Sequence, residues 1–192
     1  MKRYANIGCQ WLVFIIAWGM CTTAAASGAA ADRLKAGDVL LLRHAIAPGF
    51  GDPAEFRVDD CSTQRNLSEE GRQQARSIGA WLRAHGIDRA RVHSSQWCRC
   101  LETAELLDVG EVAPLPALNS FFQRPADREP NLAALRAFLA GQQASAEPLV
   151  LVTHQVTITA LTDIIPGSGE GVVATLGESG ELRDFARLGF SD

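Results

Sequence analysis

Two histidines and two arginines stand where an α/β protein commonly places reactive groups. Arg43 and His44 follow the apolar run 39–42, His154 follows the apolar run 149–152, and Arg99 lies just beyond a short predicted strand over 92–95. One histidine at a strand end is usually structural, but two histidines grouped with arginines favour a functional site. Guanidinium groups bind anions, so the grouping predicts a site for an anionic ligand.

Strands and helices alternate along the sequence and must position these residues. Apolar runs at 39–42, 149–152 and 172–176 predict strands. The segment Val92-His93-Ser94-Ser95 is interpreted as a further short strand, and 182–188 as another. Apolar spacing predicts a helix that begins at the N-cap Ser68 and ends at His85-Gly86. It also predicts a second helix around 97–104, a third capped by Asn131, and a short fourth around 158–161. Prolines predict an extended segment over 112–118.

This alternation predicts an α/β fold with one domain over residues 32–192. The expected architecture is a three-layer sandwich, with a mostly parallel central sheet and helices on both faces. Ligands of such sheets bind beyond the carboxyl ends of the strands. Those are the positions that Arg43, His44 and His154 occupy in the sequence.

The composition limits the classes of partner. The chain has 192 residues, a formal net charge of −4 and 47% hydrophobic residues, which suits one globular domain. A mildly acidic chain is not expected to coat nucleic acid or an anionic membrane. An anion site in such a chain requires that a few cations be gathered at one place.

The first 31 residues resemble a secretory signal peptide. Lys2 and Arg3 precede an apolar run at 11–21 and an alanine-rich tract, and no further charge occurs before Asp32. Cleavage after Ala26 and cleavage after Ala31 both fit the pattern. An uncleaved anchor and a lipid attachment at Cys21 are alternatives. The favoured interpretation is a periplasmic or secreted protein without a stable membrane anchor once the signal is removed.

Export affects the interpretation of the cysteines. The predicted mature chain keeps three of them, Cys61, Cys98 and Cys100, and an oxidising compartment favours a disulfide. Cys98 and Cys100 are too close to pair within a helix, which leaves Cys61 paired with one of them. Three free thiols, or a zinc site that adds His93, are the alternatives.

Four segments in order along the chain resemble the motifs of the histidine phosphatase superfamily. They are Leu41-Leu42-Arg43-His44-Ala45, the stretch 66–75 (NLSEEGRQQA), the stretch 94–104 (SSQWCRCLETA) and Val152-Thr153-His154-Gln155. Ala45 and Gln155 stand where this family usually has glycine. The resemblance implies the phosphoglycerate-mutase-like fold and a phosphoryl-transfer site.

The resemblance also implies roles for individual residues. His44 would be the nucleophile that forms a phosphohistidine, and a neutral imidazole suits attack on an anionic phosphate. Arg43 and Arg99 would bind the non-bridging phosphoryl oxygens, with Arg65 as a further phosphate-binding residue. His154 would donate a hydrogen bond to the phosphoryl group. No metal and no other cofactor is implied.

The sequence departs from the family at the proton donor. Many members carry a glutamate where this chain has Ser120, and a serine hydroxyl is a poor general acid. Five loop carboxylates could substitute for it: Asp52, Glu55, Asp59, Asp60 and Asp127. Alternatively, the leaving group needs little protonation, or the protein binds phosphate without turnover. Phe121 and Phe122, together with loop residues 47–60, are candidates for shaping specificity, but the favoured role of the two phenylalanines is packing in the core.

These observations predict an exported phosphohydrolase that acts on a small phosphorylated substrate. An envelope sugar phosphate fits the compartment, by analogy with exported relatives. The alternatives are a phosphate-binding pseudoenzyme and a phosphatase of phosphohistidine proteins.

Overall fold

The computed structural model describes residues 29–34, 38–142, 145 and 147–190. The predicted signal peptide therefore lies outside the described residues, except for positions 29–31, which belong to a helical stretch over 29–34. The strands are β1 (Val39–Arg43), β2 (Arg91–Ser94), β3 (Val112–Pro114), β4 (Leu149–Thr153), β5 (Gly171–Leu176) and β6 (Leu182–Leu188). The α-helices after β1 are α1 (Glu69–Ala84), α2 (Cys98–Leu107), α3 (Arg128–Ala140) and α4 (Gln155–Thr162).

The six strands form one sheet in the order β3-β2-β4-β1-β5-β6. The first four strands of this order run parallel, whereas β5 and β6 extend the sheet by antiparallel pairing. The sheet is therefore mostly parallel, as the sequence predicts. In the register of the two central parallel strands, Arg43 lies beside Thr153.

Both faces of the sheet are covered, which explains the continuous apolar runs. Leu40 and Leu42 of β1 belong to a core cluster that includes Ile78 of α1 and residues of α2. The alternate positions Val39 and Leu41 belong to a second cluster, with residues of α3 and α4. The structure thus has three layers, with α1 and α2 on one face and α3 and α4 on the other.

The start of α1 is attached to the segment that follows His44. Ser68 caps the helix as predicted, since its hydroxyl accepts a hydrogen bond from the Gly71 amide. The Ser68 amide donates to the Ile46 carbonyl at 3.1 Å. A Cβ at Gly71 would lie 2.0 Å from the same carbonyl oxygen, so only glycine permits this approach.

The prediction that Asn131 caps the third helix is wrong. Helix α3 begins at Arg128, with Asp127 at the N-cap position. Pro130 is tolerated there because amides in the first helical turn need no intrahelical partner. The Asn131 side chain instead donates to the Asn119 carbonyl at 3.1 Å, which attaches α3 to the segment before Ser120.

The prediction of an extended segment over 112–118 holds only for its first half. Val112–Pro114 forms the edge strand β3, but Pro116–Leu118 forms a short 3-10 helix. The fixed φ of proline suits the first position of a helical turn as well as an extended chain, so Pro116 can begin one.

The first described residues of the chain pack in the hydrophobic core. Ala30 and Ala31 are buried in the same cluster as Leu34 and Leu40. Among the described residues, no helix is both long enough and apolar enough to span a membrane.

Candidate active site

The carboxyl ends of β1 and β4 bring the two predicted histidines together. His44 follows β1 and His154 follows β4, and the His44 amide donates to the Thr153 carbonyl at 3.0 Å. The two imidazole ring centroids lie 5.5 Å apart. Because the two strands are parallel neighbours, residues that are 110 positions apart in the sequence share one end of the sheet.

The contacts of His44 define its tautomer. Its Nδ1 lies 2.8 Å from the Ala45 carbonyl oxygen, which can only accept, so Nδ1 carries the hydrogen. Its Nε2 accepts from the Nε of Arg99 at 3.3 Å, so the Nε2 lone pair points into the site. Burial, followed by the charge of Arg99, lowers the pKa of His44 to about 3. The ring is therefore neutral at neutral pH, as a nucleophile must be.

Arg99 lies in the first turn of α2, and its side chain is 4% exposed. Its Nη1 and Nη2 donate to the two carboxylate oxygens of Asp52, at 2.6 and 3.1 Å. The indole Nε1 of Trp97 donates to the same carboxylate at 2.9 Å. Sequence reasoning placed Asp52 only among the loop acids, because a single aspartate in a loop rich in glycine and proline gives no periodic signal.

Two further arginines reach the same site from different segments. Arg43, at the end of β1, donates to the Pro166 carbonyl at 2.9 Å, and its buried Nε has no partner among the described residues. Arg65 donates to the carbonyls of Ala47 and Gly51. Burial, followed by the positive charge of Arg99, lowers the pKa of both guanidinium groups. The predicted phosphate-binding arginines are therefore neighbours.

His154 is held by groups that precede and begin α2. The Ser95 hydroxyl lies 2.9 Å from its Nε2, and the Cys100 sulfur lies 3.5 Å from the same atom. Burial, followed by the charge of Arg99, lowers the pKa of His154 well below its usual value. Sequence reasoning missed Ser95 in this role, although it belongs to the segment 94–104 that carries Arg99.

These side chains line one cavity of about 320 Å³. Its wall includes every predicted catalytic or phosphate-binding residue, together with Asp52 and Ser120; the predicted set is Arg43, His44, Arg65, Arg99 and His154. Three arginines and one aspartate, with both imidazoles neutral, give the lining a formal charge of +2. That charge complements a phosphate monoester dianion, and the volume lies in the range of small-molecule sites.

The family's usual glutamate has no carboxylate in its place here. Ser120 lines the cavity, and its hydroxyl accepts a hydrogen bond from the Phe122 amide at 3.3 Å. Of the five alternative acids, Asp52 alone is among the described residues that line the cavity. Glu55 and Asp59 are exposed. Asp60 and Asp127 form ion pairs elsewhere, with Arg57 and Arg124.

Cys61 and Cys98 form a disulfide, with their Cα atoms 5.7 Å apart, and Cys100 is a buried free thiol. Burial raises the pKa of Cys100 to about 12, so this thiol is protonated and unreactive. The disulfide uses two of the four ligands of the alternative zinc site. Within the part of the chain that is described, no three His, Cys, Asp or Glu side chains are grouped to hold a metal ion.

We expect reduction of this disulfide to lower the free energy of unfolding by about 3–4 kcal/mol, because the bond closes a loop of 37 residues. Urea unfolding with and without dithiothreitol measures the difference. A variant with both Cys61→Ala and Cys98→Ala is the control, and dithiothreitol should leave its midpoint unchanged. Equal midpoints for the wild-type protein in both conditions would contradict the expectation.

Comparison with known proteins agrees with this site. Residues 39–120 match the histidine phosphatase superfamily (branch 1). No curated protein sequence matches the chain. The structure of the protein histidine phosphatase SixA complexed with tungstate is 22% identical in sequence, with a TM-score of 0.56 over 80% of this chain and 97% of that chain. A mycobacterial glucosyl-3-phosphoglycerate phosphatase is 19% identical, with a TM-score of 0.57 over 80% and 98% of the two chains.

The matched residues 39–120 include Arg43, His44, Arg65 and Arg99, and the similarity to solved structures extends over the remainder of the sheet. At these identities, the structural neighbours establish the shared phosphoglycerate-mutase-like fold. The chain thus has the fold of these histidine phosphatases, and its residues 39–120 match the histidine phosphatase superfamily.

Proposed function

We propose that this protein is an exported phosphohydrolase that forms a phosphohistidine on His44. The observation that carries the proposal is the orientation of the His44 ring. A carbonyl holds Nδ1–H at 2.8 Å, so the Nε2 lone pair faces a cavity that three arginines make cationic. A neutral nitrogen nucleophile can approach a phosphate dianion there without charge repulsion.

The proposed reaction has two displacements at phosphorus. In the first, His44 Nε2 attacks, a P–N bond forms, and the bond from phosphorus to the leaving group breaks with its electron pair on the leaving group. In the second, water attacks phosphorus, the P–N bond breaks with its electron pair on Nε2 and neutral His44 returns. The proton released by the attacking water goes to solvent, from which the leaving group takes its own proton. Arg43, Arg65 and Arg99 bind the non-bridging oxygens, and His154 donates a hydrogen bond to them.

The leaving group departs on a side that offers no carboxylic acid in the described structure. Ser120 occupies the family's glutamate position, and the carboxylate of Asp52 is paired with Arg99. This arrangement supports substrates whose leaving group needs little protonation. It favours, as a second candidate function, the dephosphorylation of a phosphohistidine protein, since one neighbour of the same fold is a protein histidine phosphatase.

Export is a further part of the proposal. The basic and apolar N-terminal sequence supports a secretory signal, and the Cys61–Cys98 disulfide supports an oxidising compartment such as the periplasm. Burial of Ala30 and Ala31 in the core supports cleavage after Ala26, because cleavage after Ala31 would remove both. Such a location supports an envelope sugar phosphate as the substrate, whereas the lack of a free carboxylic acid in the described cavity supports the phosphohistidine protein.

The test is phosphate release by residues 27–192 from a panel that contains sugar phosphates, aryl phosphates and a phosphohistidine peptide. We expect turnover of at least one compound and the strongest preference to identify the substrate class. If no compound is turned over while inorganic phosphate binds, the enzyme proposal is wrong and the phosphate-binding alternative is correct.

A further inference from the structure

Asp52 is the one carboxylate among the described residues that line the cavity, and all of its acceptor positions are in use. Its Oδ1 accepts from Arg99 Nη1 at 2.6 Å and from the Arg65 amide at 3.2 Å. Its Oδ2 accepts from Arg99 Nη2 at 3.1 Å and from Trp97 Nε1 at 2.9 Å. The side chain is 7% exposed. A carboxylate with four donors, two of them from a guanidinium, has no free position for a proton.

The backbone of Asp52 is fixed independently of Arg99. Its amide donates to the Gln123 side-chain oxygen at 2.7 Å, and its carbonyl accepts from the Gln123 side-chain nitrogen at 3.1 Å. The carboxylate is therefore presented by a loop that is attached to the far wall of the cavity. It can act as a fixed point against which the long Arg99 side chain is oriented.

The contact with Asp52 determines which edge of Arg99 faces the site. Asp52 accepts hydrogen bonds from Nη1 and Nη2, at the end of the guanidinium group. The side edge formed by Nε and Nη2 is therefore available to face the site. That edge points at the nucleophile, since Arg99 Nε lies 3.3 Å from His44 Nε2. A phosphoryl group bonded to His44 would meet this edge directly.

We propose that Asp52 is a positioning residue that orients the Nε edge of Arg99 towards the phosphoryl group, and that it is not the missing proton donor. This inference rests on the proposed function. Burial alone would raise the pKa of Asp52, but hydrogen bonds and charge from Arg99 outweigh it and hold the pKa below its usual value. The carboxylate is thus ionised at neutral pH when it is paired with Arg99.

The two roles predict different dependence on the leaving group. A proton donor matters most for a poorly acidic leaving group, so loss of it would slow an alkyl phosphate and spare 4-nitrophenyl phosphate. Loss of a positioning residue misplaces Arg99 for every substrate. We expect Asp52→Asn to lower kcat about 10- to 100-fold for both substrates. The matched control is Asp59→Asn, an exposed aspartate of the same loop, which should retain wild-type kcat.

Two further measurements keep the inference testable independently of turnover. Asp52→Asn should weaken the binding of inorganic phosphate, although it removes a negative charge, and it should add no loss of binding in an Arg99→Ala background. Thermal unfolding verifies that each variant is folded. A loss of kcat confined to the alkyl phosphate, or tighter phosphate binding by Asp52→Asn, would overturn the inference. Absence of turnover by the wild-type protein would overturn only the proposed function.

A second, independent observation concerns two aromatic side chains at the mouth of the cavity. Phe50 is 87% exposed and Phe122 is 46% exposed, so the prediction that Phe122 packs in the core is wrong. The two rings meet edge to face at 4.9 Å, and both line the cavity that contains His44. Phe50 stands between Gly49 and Gly51, whose φ angles of +96° and +68° permit the turn that projects it.

We infer that Phe50 and Phe122 form a subsite for a leaving group with a flat apolar ring face. The phosphoryl group is held at the base of the cavity by the arginines, so the leaving group must extend towards the mouth. A ring placed there covers apolar surface that is otherwise in water, and ring contacts with phenylalanine add further stabilisation. The subsite rests on the proposed function for the orientation of the substrate.

Binding of phosphonates tests the subsite without catalysis, because their C–P bond is not hydrolysed. We expect Phe50→Ala and Phe122→Ala to weaken phenylphosphonate binding about 3- to 10-fold and to leave methylphosphonate binding unchanged. Phe185→Ala, on the edge strand β6, is the control and should alter neither. Equal losses for both phosphonates, or no loss for either, would overturn the subsite.

Discussion

Replacement of His44 by alanine is expected to lower the rate of phosphate release on the order of 10³-fold or more, because the proposed reaction forms its phosphohistidine on this residue. The ring is neutral, with its pKa lowered to about 3, and its Nε2 lone pair faces Arg99 at 3.3 Å. The measurement is steady-state hydrolysis of 4-nitrophenyl phosphate, followed by acid-labile phosphate trapping on the protein.

The control for this variant is His93→Ala. His93 lies on β2 and packs against Phe138, away from the cavity, so its loss should leave turnover unchanged. If wild-type protein is no faster than His44→Ala, the proposed activity is wrong. If phosphate is trapped on another residue, the nucleophile is wrong while the activity stands.

Replacement of Arg43 or Arg99 by alanine is expected to lower kcat by about 10²- to 10³-fold each. In the proposed reaction both guanidinium groups donate to oxygens on which negative charge spreads during phosphoryl transfer, and the loss of one such donor typically has this effect. Arg99→Lys should recover only part of the rate, because an ammonium group keeps the charge but cannot reproduce the guanidinium fork.

The control for the arginine variants is Arg76→Ala. Arg76 lies on α1, is 45% exposed and pairs with Glu69 on the surface, so it should not affect turnover. A near wild-type kcat for Arg43→Ala or Arg99→Ala would show that the residue does not bind the phosphoryl group. A higher KM with unchanged kcat would assign it to ground-state binding alone.

Ser120 stands where many members of the superfamily carry a glutamate. Its hydroxyl lines the cavity but accepts from the Phe122 amide. The one carboxylate among the described cavity residues, Asp52, is paired with Arg99. The site therefore has the histidines and arginines of the histidine phosphatase motifs, together with a serine where many members of that superfamily have a glutamate.

The sequence alone was sufficient for the fold class and for the histidines and arginines that the structure brings together around one cavity. Apolar runs of strand length are local signals, and they predicted the buried strands β1 and β4 and hence the two histidines at their ends. The resemblance to the histidine phosphatase superfamily assigned Arg99 and Arg65 to the same predicted site. Helix and turn boundaries near Pro116 and Pro130 were less predictable, because proline fits both the start of a helical turn and an extended chain.

Tertiary structure alone decided how those residues are oriented and what surrounds them. The contact between Asp52 and Arg99, the choice of Cys98 as the partner of Cys61, and the exposure of Phe122 all depend on where loops lie in space. A loop residue has no periodicity that reports its neighbours, since its contacts come from distant segments. The sequence thus determined which side chains can hold a phosphoryl group, and the packing of loop 47–66 on α2 determined how they are aimed.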